Sequence, residues 1–560
     1  MRFLSTLPVA LTCLAASALA NPISFDFALE ERQEPAVNAS ASATSSSSAT
    51  ASSSGSSASA SSNSSSASAA FPTDIGYLGK TRQGAVPFLA NTDKLAGSRG
   101  NSPYENRFNA TDANKEQFDI FKSMGNISPY HSSRLFPETT AKKVLPDTCE
   151  VTNAMIFHRH GARYPTSYST EGAPNFGAVL ANVTKAGNLT ASGPLAFLKN
   201  WSYELGAELL VPIGSQQLFD SGVYHYMQYG KLLNVSLGHK PVVRTPSQSR
   251  MIDSARYWTL GFFGWDAPDK INLEVIIEGD GFNNTLAPYD TCNNSNTIYI
   301  GDDYLRKVWD PIYLADAGKR LQQYTNLNLT TTLLYGMQAL CPYESAALGY
   351  SQFCDLFTEE EWKGFEYDLD LQFSGDYGPL SPSGRAQGIG YAQELLDFLS
   401  NSTFEGPVTT QNTTFDENPA YYPVAQPLQM SFTHDDVIVS VLTALNYTQF
   451  FDDLDPRKPD PSRNFVLSEI TPFAGRLVHE VIRCSHDNAT YVRTLINEAI
   501  VPMDEGQGCS EKREDGLCRL DEFLKFQEEN AVKAANFDYA CFGDYNVTGA
   551  GQIKNGTIGV

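Results

Sequence analysis

The chain has 560 residues, 42% of them hydrophobic, and a formal net charge of −23. That excess of acid excludes a general binder of nucleic acid or of anionic membrane, whose affinity rests on Lys and Arg. An anionic substrate would therefore need a local positive pocket inside a negative protein.

Arg2 precedes an apolar, small-residue run ending at Ala18-Leu19-Ala20, a small-x-small cleavage pattern. Residues 1–20 read as a secretory leader, with Asn21 as the mature start. The run is too short for a membrane anchor, and no other segment is apolar over a spanning length. Residues 38–70 are almost entirely Ser, Ala, Gly, Thr and Asn, so 21–70 is expected to be a spacer that cannot bury enough apolar surface to order itself. Residues 71–148 read as an arm that wraps the core or meets a partner subunit, a route to a homo-oligomer. Asn-x-Ser/Thr sequons recur from Asn109, Asn182, Asn188 and Asn200 to Asn446 and Asn546 and predict N-linked glycans. Without Cys13 of the leader, eight cysteines remain, an even number that fits disulfides in an exported protein. There is no CxxC to suggest zinc, and the connectivity stays open at this level.

The core begins near Cys149. Ala154-Met155-Ile156-Phe157 is a short strand signal. It delivers Arg159-His160-Gly161-Ala162-Arg163-Tyr164-Pro165 at its carboxyl end, where open α/β sheets place ligands. Residues 194–210 carry leucines at helical spacing. Val242-Val243 predicts a strand ending at Arg244, followed by a helix over Met251–Phe262 and a strand over Ile271–Ile277. Residues 300–400 are mostly helical by pattern. Leu428–Phe432 is strand-like and stops before His434-Asp435, and a helix is expected over Val437–Leu445. Polar, chemistry-bearing residues thus recur just past predicted strands.

That recurrence suits phosphoryl transfer, which needs positive charge around the phosphoryl oxygens, an in-line nucleophile and a proton for the leaving oxygen. Arg159 and Arg163 offer rigid forks that match phosphate. His160 can attack phosphorus through an imidazole nitrogen, and Asp435 can protonate the leaving alcohol. His434 can donate to a phosphate oxygen, and Arg244 is a further clamp. Taken singly, a strand-end histidine is more often a hydrogen-bonded structural residue, and an Arg-His pair on a turn is often only solvated. The seven-residue string together with the downstream His-Asp is a far more specific signal. Nothing in this set requires a metal or a cofactor, and the chain has neither a phosphate-cradling P-loop nor HExxH.

The Arg-His-Gly-x-Arg-x-Pro string with the later His434-Asp435 resembles the histidine acid phosphatase family, in particular its fungal secreted acid phosphatases and phytases. Val243-Arg244-Thr245-Pro246-Ser247, continued by Arg250, Ser254 and Gly261-Phe262, carries the likeness further, as do Asn284-Thr285-Leu286, Pro472-Phe473-Ala474 and Val492–Asn497. The resemblance covers roughly 115–545. It implies His160 as nucleophile, Asp435 as proton donor, and Arg159, Arg163, Arg244 and His434 as phosphate holders. It also implies the disulfides Cys149–Cys484, Cys292–Cys541, Cys341–Cys354 and Cys509–Cys518. The implied fold is a phosphoglycerate-mutase-like α/β domain with an inserted, mostly helical second domain, here 149–291 and 426–560 around 292–425. Two departures bear on substrate. Asp436 follows the proton donor with an extra carboxylate, and Thr166–Thr170 lack the lysines of phytate-selective relatives.

The resulting expectation is a secreted acid phosphatase that hydrolyses phosphomonoesters, phytate among them, through a phosphohistidine. The nearest rival is a narrow phytase. A cell-wall structural glycoprotein would explain the Ser-rich spacer and the sequons but not two catalytic motifs.

Overall fold

The computed structural model describes residues 118–558, except 168–171, 235–236, 404–405 and 407. The expected leader, the spacer and residues 71–117 of the arm lie outside the described residues.

Four strands form the half of the sheet that matters for chemistry: β1 (Cys149–Arg159), β2 (Val242–Pro246), β3 (Asn272–Ile276) and β4 (Leu428–Thr433). They lie parallel in the order β3-β2-β4-β1. β2 and β4 are buried at every position, as expected of parallel strands covered on both faces. Beyond β1 the sheet turns antiparallel through β5 (Arg476–Cys484), β6 (Ala489–Ile496) and β7 (Ala499–Ile500), and β8 (Cys518–Arg519) pairs with β6. No periodicity in the sequence announces this half. β5 and β6 bury charged residues as ion pairs, Arg476 with Glu498 and Arg493 with Glu480, and these break the apolar pattern.

The longer helices are α1 (Gly172–Lys185), α2 (Pro212–Tyr229), α3 (Ser249–Phe263), α4 (Thr331–Leu348), α5 (Glu359–Asp376), α6 (Gly384–Ser400) and α7 (Asp435–Ala444). α3 buries Met251, Ala255, Trp258 and Phe262 against Ile156, Val243, Met430 and Phe432 of the sheet. Met155 and Phe157, on the alternate side of β1, join a core shared with α4, α5, α6 and α7. Fold and class agree with expectation: an α/β sheet plus a largely helical insertion between β3 and β4. Residues 194–210 differ. Only Gly193–Lys199 is helical, a 3₁₀ turn, and the leucines beyond it lie in a loop. Glu208 there takes a left-handed φ of 66°, incompatible with a continuing helix.

All four disulfides implied by the resemblance are present. Cys149–Cys484 ties the start of β1 to the end of β5. The described part of the arm wraps the core. Met124 is fully buried, Gly125 donates its N–H to Glu366 at 2.7 Å, and Phe136 packs edge-on to Phe450. Among the sequons, Asn182, Asn188, Asn200, Asn328, Asn401, Asn488 and Asn546 are exposed. Asn446 is not presented in that way. Its amide donates to the Gly506 carbonyl at 2.7 Å and accepts from Arg385, so a glycan there is disfavoured. Among the described residues, no helix is long and apolar enough to cross a membrane.

Candidate active site

The carboxyl ends of β1, β2, β3 and β4 converge. β1 ends at Arg159 and hands on to His160; β4 hands on to His434 and Asp435; β2 leads through Gln248 to Arg250 on α3; β3 leads to Glu278. The turn after β1 sits directly on the start of α2. A side chain at Gly161 would collide with the Gly214 carbonyl, and one at Gly214 with Ala162, so both glycines are required by contact.

His160 is buried, and its Nδ1 lies 2.8 Å from the Gly161 carbonyl. A carbonyl only accepts, so Nδ1 carries the hydrogen and Nε2 keeps its lone pair. Burial, then the charges of Arg159, Arg250, Arg163 and His434, hold this imidazole well below the usual histidine range. It is therefore neutral, and nucleophilic, even in acid.

Three arginines surround it. Arg159 is fully buried. Its Nη1 donates to the carbonyls of Asn126 and Thr471, its Nη2 lies 2.6 Å from Asp435 Oδ2, and its guanidinium stacks on Phe473. Burial lowers its pKa to about 10 against the pull of Asp435. Arg163 spends Nη1 on the Tyr164 carbonyl and Thr166 Oγ1. Arg250 spends Nη1 on Glu208 at 3.1 Å. The Nε atoms of all three are buried without a hydrogen-bond partner among the described residues. A buried, unmatched charged donor costs several kcal/mol, about 1–3 for a neutral group and more for a charged one. Three of them around one imidazole mark a place for an anion.

Arg244 does not join this set, contrary to the sequence reading. β2 runs on to Pro246, so Arg244 stands inside the strand rather than at its end. Its Nε, Nη1 and Nη2 are each bonded to a carboxylate, Glu274 at 3.1 Å, Glu394 at 2.9 Å and Asp416 at 2.6 Å, and it lies over Tyr422. All three nitrogens are committed to protein carboxylates, so Arg244 is tied into the scaffold rather than held for phosphate. The strand-end rule holds if applied to the true end of β2, because it then selects Arg250 at the start of α3. The string Ser247-Gln248-Ser249-Arg250, a polar turn before a helix, was the available signal.

His434 and Asp435 open α7. The His160 and His434 rings are 5.8 Å apart, and His434 Nε2 is 3.3 Å from Glu278 Oε2. Glu278 also accepts from Tyr289 and Gln248. Burial opposes the charge on Glu278, but His434, Tyr289 and Arg250 outweigh it and hold the carboxyl below its ordinary range. Asp435 Oδ2 accepts from Asn126 Nδ2 at 2.5 Å as well as meeting Arg159. Here too burial is outweighed, by Arg159, Asn126, Arg163 and His434, which hold the Asp435 carboxyl below its ordinary range. Asp436 goes the other way, raised to about 6 by burial and then by the charge of Asp435. Asn126, Glu208, Gln248 and Glu278 were not singled out from sequence. Asn126 arrives from the arm, 309 residues before its partner, and no local pattern foretells such a contact. Among the described residues, the group with metal-ligand spacing is Cys149, Cys484 and His486, whose two sulfurs are committed to a disulfide.

The sheet, the helical insertion and the buried Arg-His site define a histidine phosphatase. The model of the histidine phosphatase superfamily, branch 2, matches residues 150–497, and the chain belongs to that family. It is 32% identical over 464 residues to phytase A of Aspergillus oryzae, covering 79% of this chain and 95% of the relative. It is also 32% identical over 443 residues to a thiamine-repressible acid phosphatase of Schizosaccharomyces pombe, covering 74% and 90%. Among solved structures, the phytase from D. castellii superposes with a TM-score of 0.63 at 24% identity, covering 81% of this chain and 94% of that one.

Proposed function

We propose that the protein is a secreted acid phosphatase that cleaves phosphomonoesters through a phosphohistidine. The observation that carries this is the set of buried, unmatched Nε donors of Arg159, Arg163 and Arg250 around a neutral His160. A phosphoryl group offers the acceptors those donors lack. His160 Nε2 attacks phosphorus, an N–P bond forms and the P–O bond to the leaving group breaks. The leaving oxygen takes a proton from Asp435. Its neighbours hold Asp435 below the ordinary carboxyl range, but a bound phosphate adds negative charge beside it and competes for Arg159, which raises its hold on a proton. Water then attacks the phosphohistidine, Asp435 recovers a proton from it, and orthophosphate leaves. Asn126, bonded to Asp435 Oδ2, leaves Oδ1 to carry that proton.

Export is supported by the leader-like segment at 1–20, by the four disulfides and by the exposed sequons, which would carry N-linked glycans. The relatives named phytase make inositol hexakisphosphate a substrate to test beside simple esters. The decisive experiment is phosphate release from an aryl phosphate and from inositol hexakisphosphate, at pH values from about 2 to about 8, with wild type and His160→Ala. The wild type should hydrolyse at acid pH. The variant should lose at least about 10⁴-fold in kcat while keeping its thermal midpoint, and a rapidly quenched wild-type reaction should yield acid-labile phosphate on His160. A folded wild type inert on both substrates would sink the proposal.

A further inference from the structure

Three basic side chains of this site each meet a carboxylate: Arg159 meets Asp435, His434 meets Glu278, and Arg250 meets Glu208. Two of these carboxylates are buried, with side chains 11% and 2% exposed, whereas that of Glu208 is 37% exposed. Glu208 is thus the one of these three carboxylates that reaches solvent, on the rim of the site beside Arg250.

Its placement is fixed by the backbone. Val211 donates to the Ala162 carbonyl at 3.0 Å, Tyr164 to Leu209 at 2.9 Å and Glu208 to Pro165 at 3.0 Å, so residues 208–211 are zipped to the loop that carries His160 and Arg163. Glu208 itself has a φ of 66°, a conformation a side-chain-bearing residue adopts at a cost. From there its Oε1 accepts from the Ser167 N–H at 3.0 Å and its Oε2 pairs with Arg250. One carboxylate therefore spans from the loop after His160 to the arginine on α3.

We propose that Glu208 is a specificity-determining residue: a fixed anion at the rim that favours substrates with a single phosphate over those with several. This rests on the phosphomonoesterase reading above. A compact monoester leaves Glu208 and most of its bond to Arg250 in place. A polyphosphorylated ring brings further phosphate anions to the rim, where each meets this carboxylate at short range and in reach of screening salt.

The test measures kcat and KM of wild type, Glu208→Gln and Glu208→Ser on an aryl monophosphate and on inositol hexakisphosphate, at low and at high salt. Gln keeps an oxygen for Ser167 and removes the charge. The ratio of kcat/KM for hexakisphosphate to that for the aryl ester should rise roughly three- to tenfold, through KM, and the gain should shrink in high salt. An unchanged or lower ratio in a variant with the wild-type thermal midpoint overturns the proposal. So does a rise confined to kcat or indifferent to salt, which would report a rearranged loop. Should Glu208→Gln fold poorly, Glu208→Ser must move the ratio in the same direction or the proposal fails. Wild-type turnover of the aryl ester separates the two readings: with it, an unchanged ratio sinks this inference alone; without turnover of either substrate, both fall.

Discussion

Arg244 and Arg250 lie on either side of one turn, and both are largely buried, yet they are different kinds of arginine. Arg244 meets a carboxylate with each of its three nitrogens and stabilises the junction of β2, β3 and α6. Among the described residues, Arg250 meets a single, rim-exposed carboxylate and keeps a buried Nε without a partner. Their pKa values move in opposite directions. Burial lowers both, but three anions reverse it for Arg244, whereas for Arg250 the neighbouring Arg163 adds to it. The lesson is that a binding arginine is recognised by donors the protein leaves unmatched. Burial and charge alone do not distinguish it from a scaffold.

The largest effect should come from the scaffold. Arg244→Met strands Glu274, Glu394 and Asp416 without a counter-ion, and breaking a buried charge set in this way costs about 3–5 kcal/mol. Chemical denaturation should show that loss, while the folded fraction binds orthophosphate with a Kd within about twofold of wild type. Arg250→Met should do the reverse. Its kcat/KM on an aryl phosphate should fall about 100-fold, as for loss of one charge-stabilising donor. Its thermal midpoint should hold, since the one ion pair lost is to a partly exposed carboxylate. An exchange of phenotypes between the two variants would break the comparison.

Much of the fold was legible in the sequence, this contrast was not, and the reason is physical. The parallel strands, the helices at Ser249–Phe263, Gly384–Ser400 and Asp435–Ala444, and the pair His160 and Asp435 follow from apolar runs that stop at polar turns. The choice between Arg244 and Arg250 depended on whether β2 ends at Arg244 or two residues later. Strand ends are set by ladder pairing, here Thr245 with Val275 and Pro246 with Ile276, and that pairing is tertiary information. The antiparallel strands were hidden because their buried positions hold Arg476, His479, Glu480 and Arg493, which no apolar pattern reveals. The arm read as a segment that wraps the core or meets a partner, without a destination.

That destination sharpens the comparison at smaller amplitude. Asn126 holds Asp435 by a bond from its amide and Arg159 through its main-chain carbonyl, which a side-chain substitution leaves in place. Asn126→Ala should lower kcat on an alkyl phosphate, a poor leaving group, by about tenfold, with little change in KM. An aryl phosphate, which needs less help from the acid, should be slowed less. Equal losses on both esters would mean that Asn126 positions something other than the proton.

The smallest effect concerns two adjacent carboxyls at the start of α7. Asp435 lies below its ordinary range because Arg159 outweighs its burial, so the raised carboxyl of the two is Asp436. Asp436 is raised from 3.8 to about 6 by burial and by Asp435, with Glu278 pushing the same way and His434 opposing. A raised folded-state value means that its contribution to stability is complete below about pH 4 and is lost as pH rises through about 6. Above that pH a further negative charge also faces any bound anion, so anion affinity should fall through the same window. Sulfate, which does not titrate there, is the suitable probe, read as an inhibition constant against an aryl phosphate. Asp436→Asn should flatten the step between about pH 5 and about pH 7 and tighten sulfate at the upper end roughly two- to fivefold. Persistence of the step in that variant would assign it to another group, and the carboxyl after the candidate proton donor would then have no part in the pH dependence of binding.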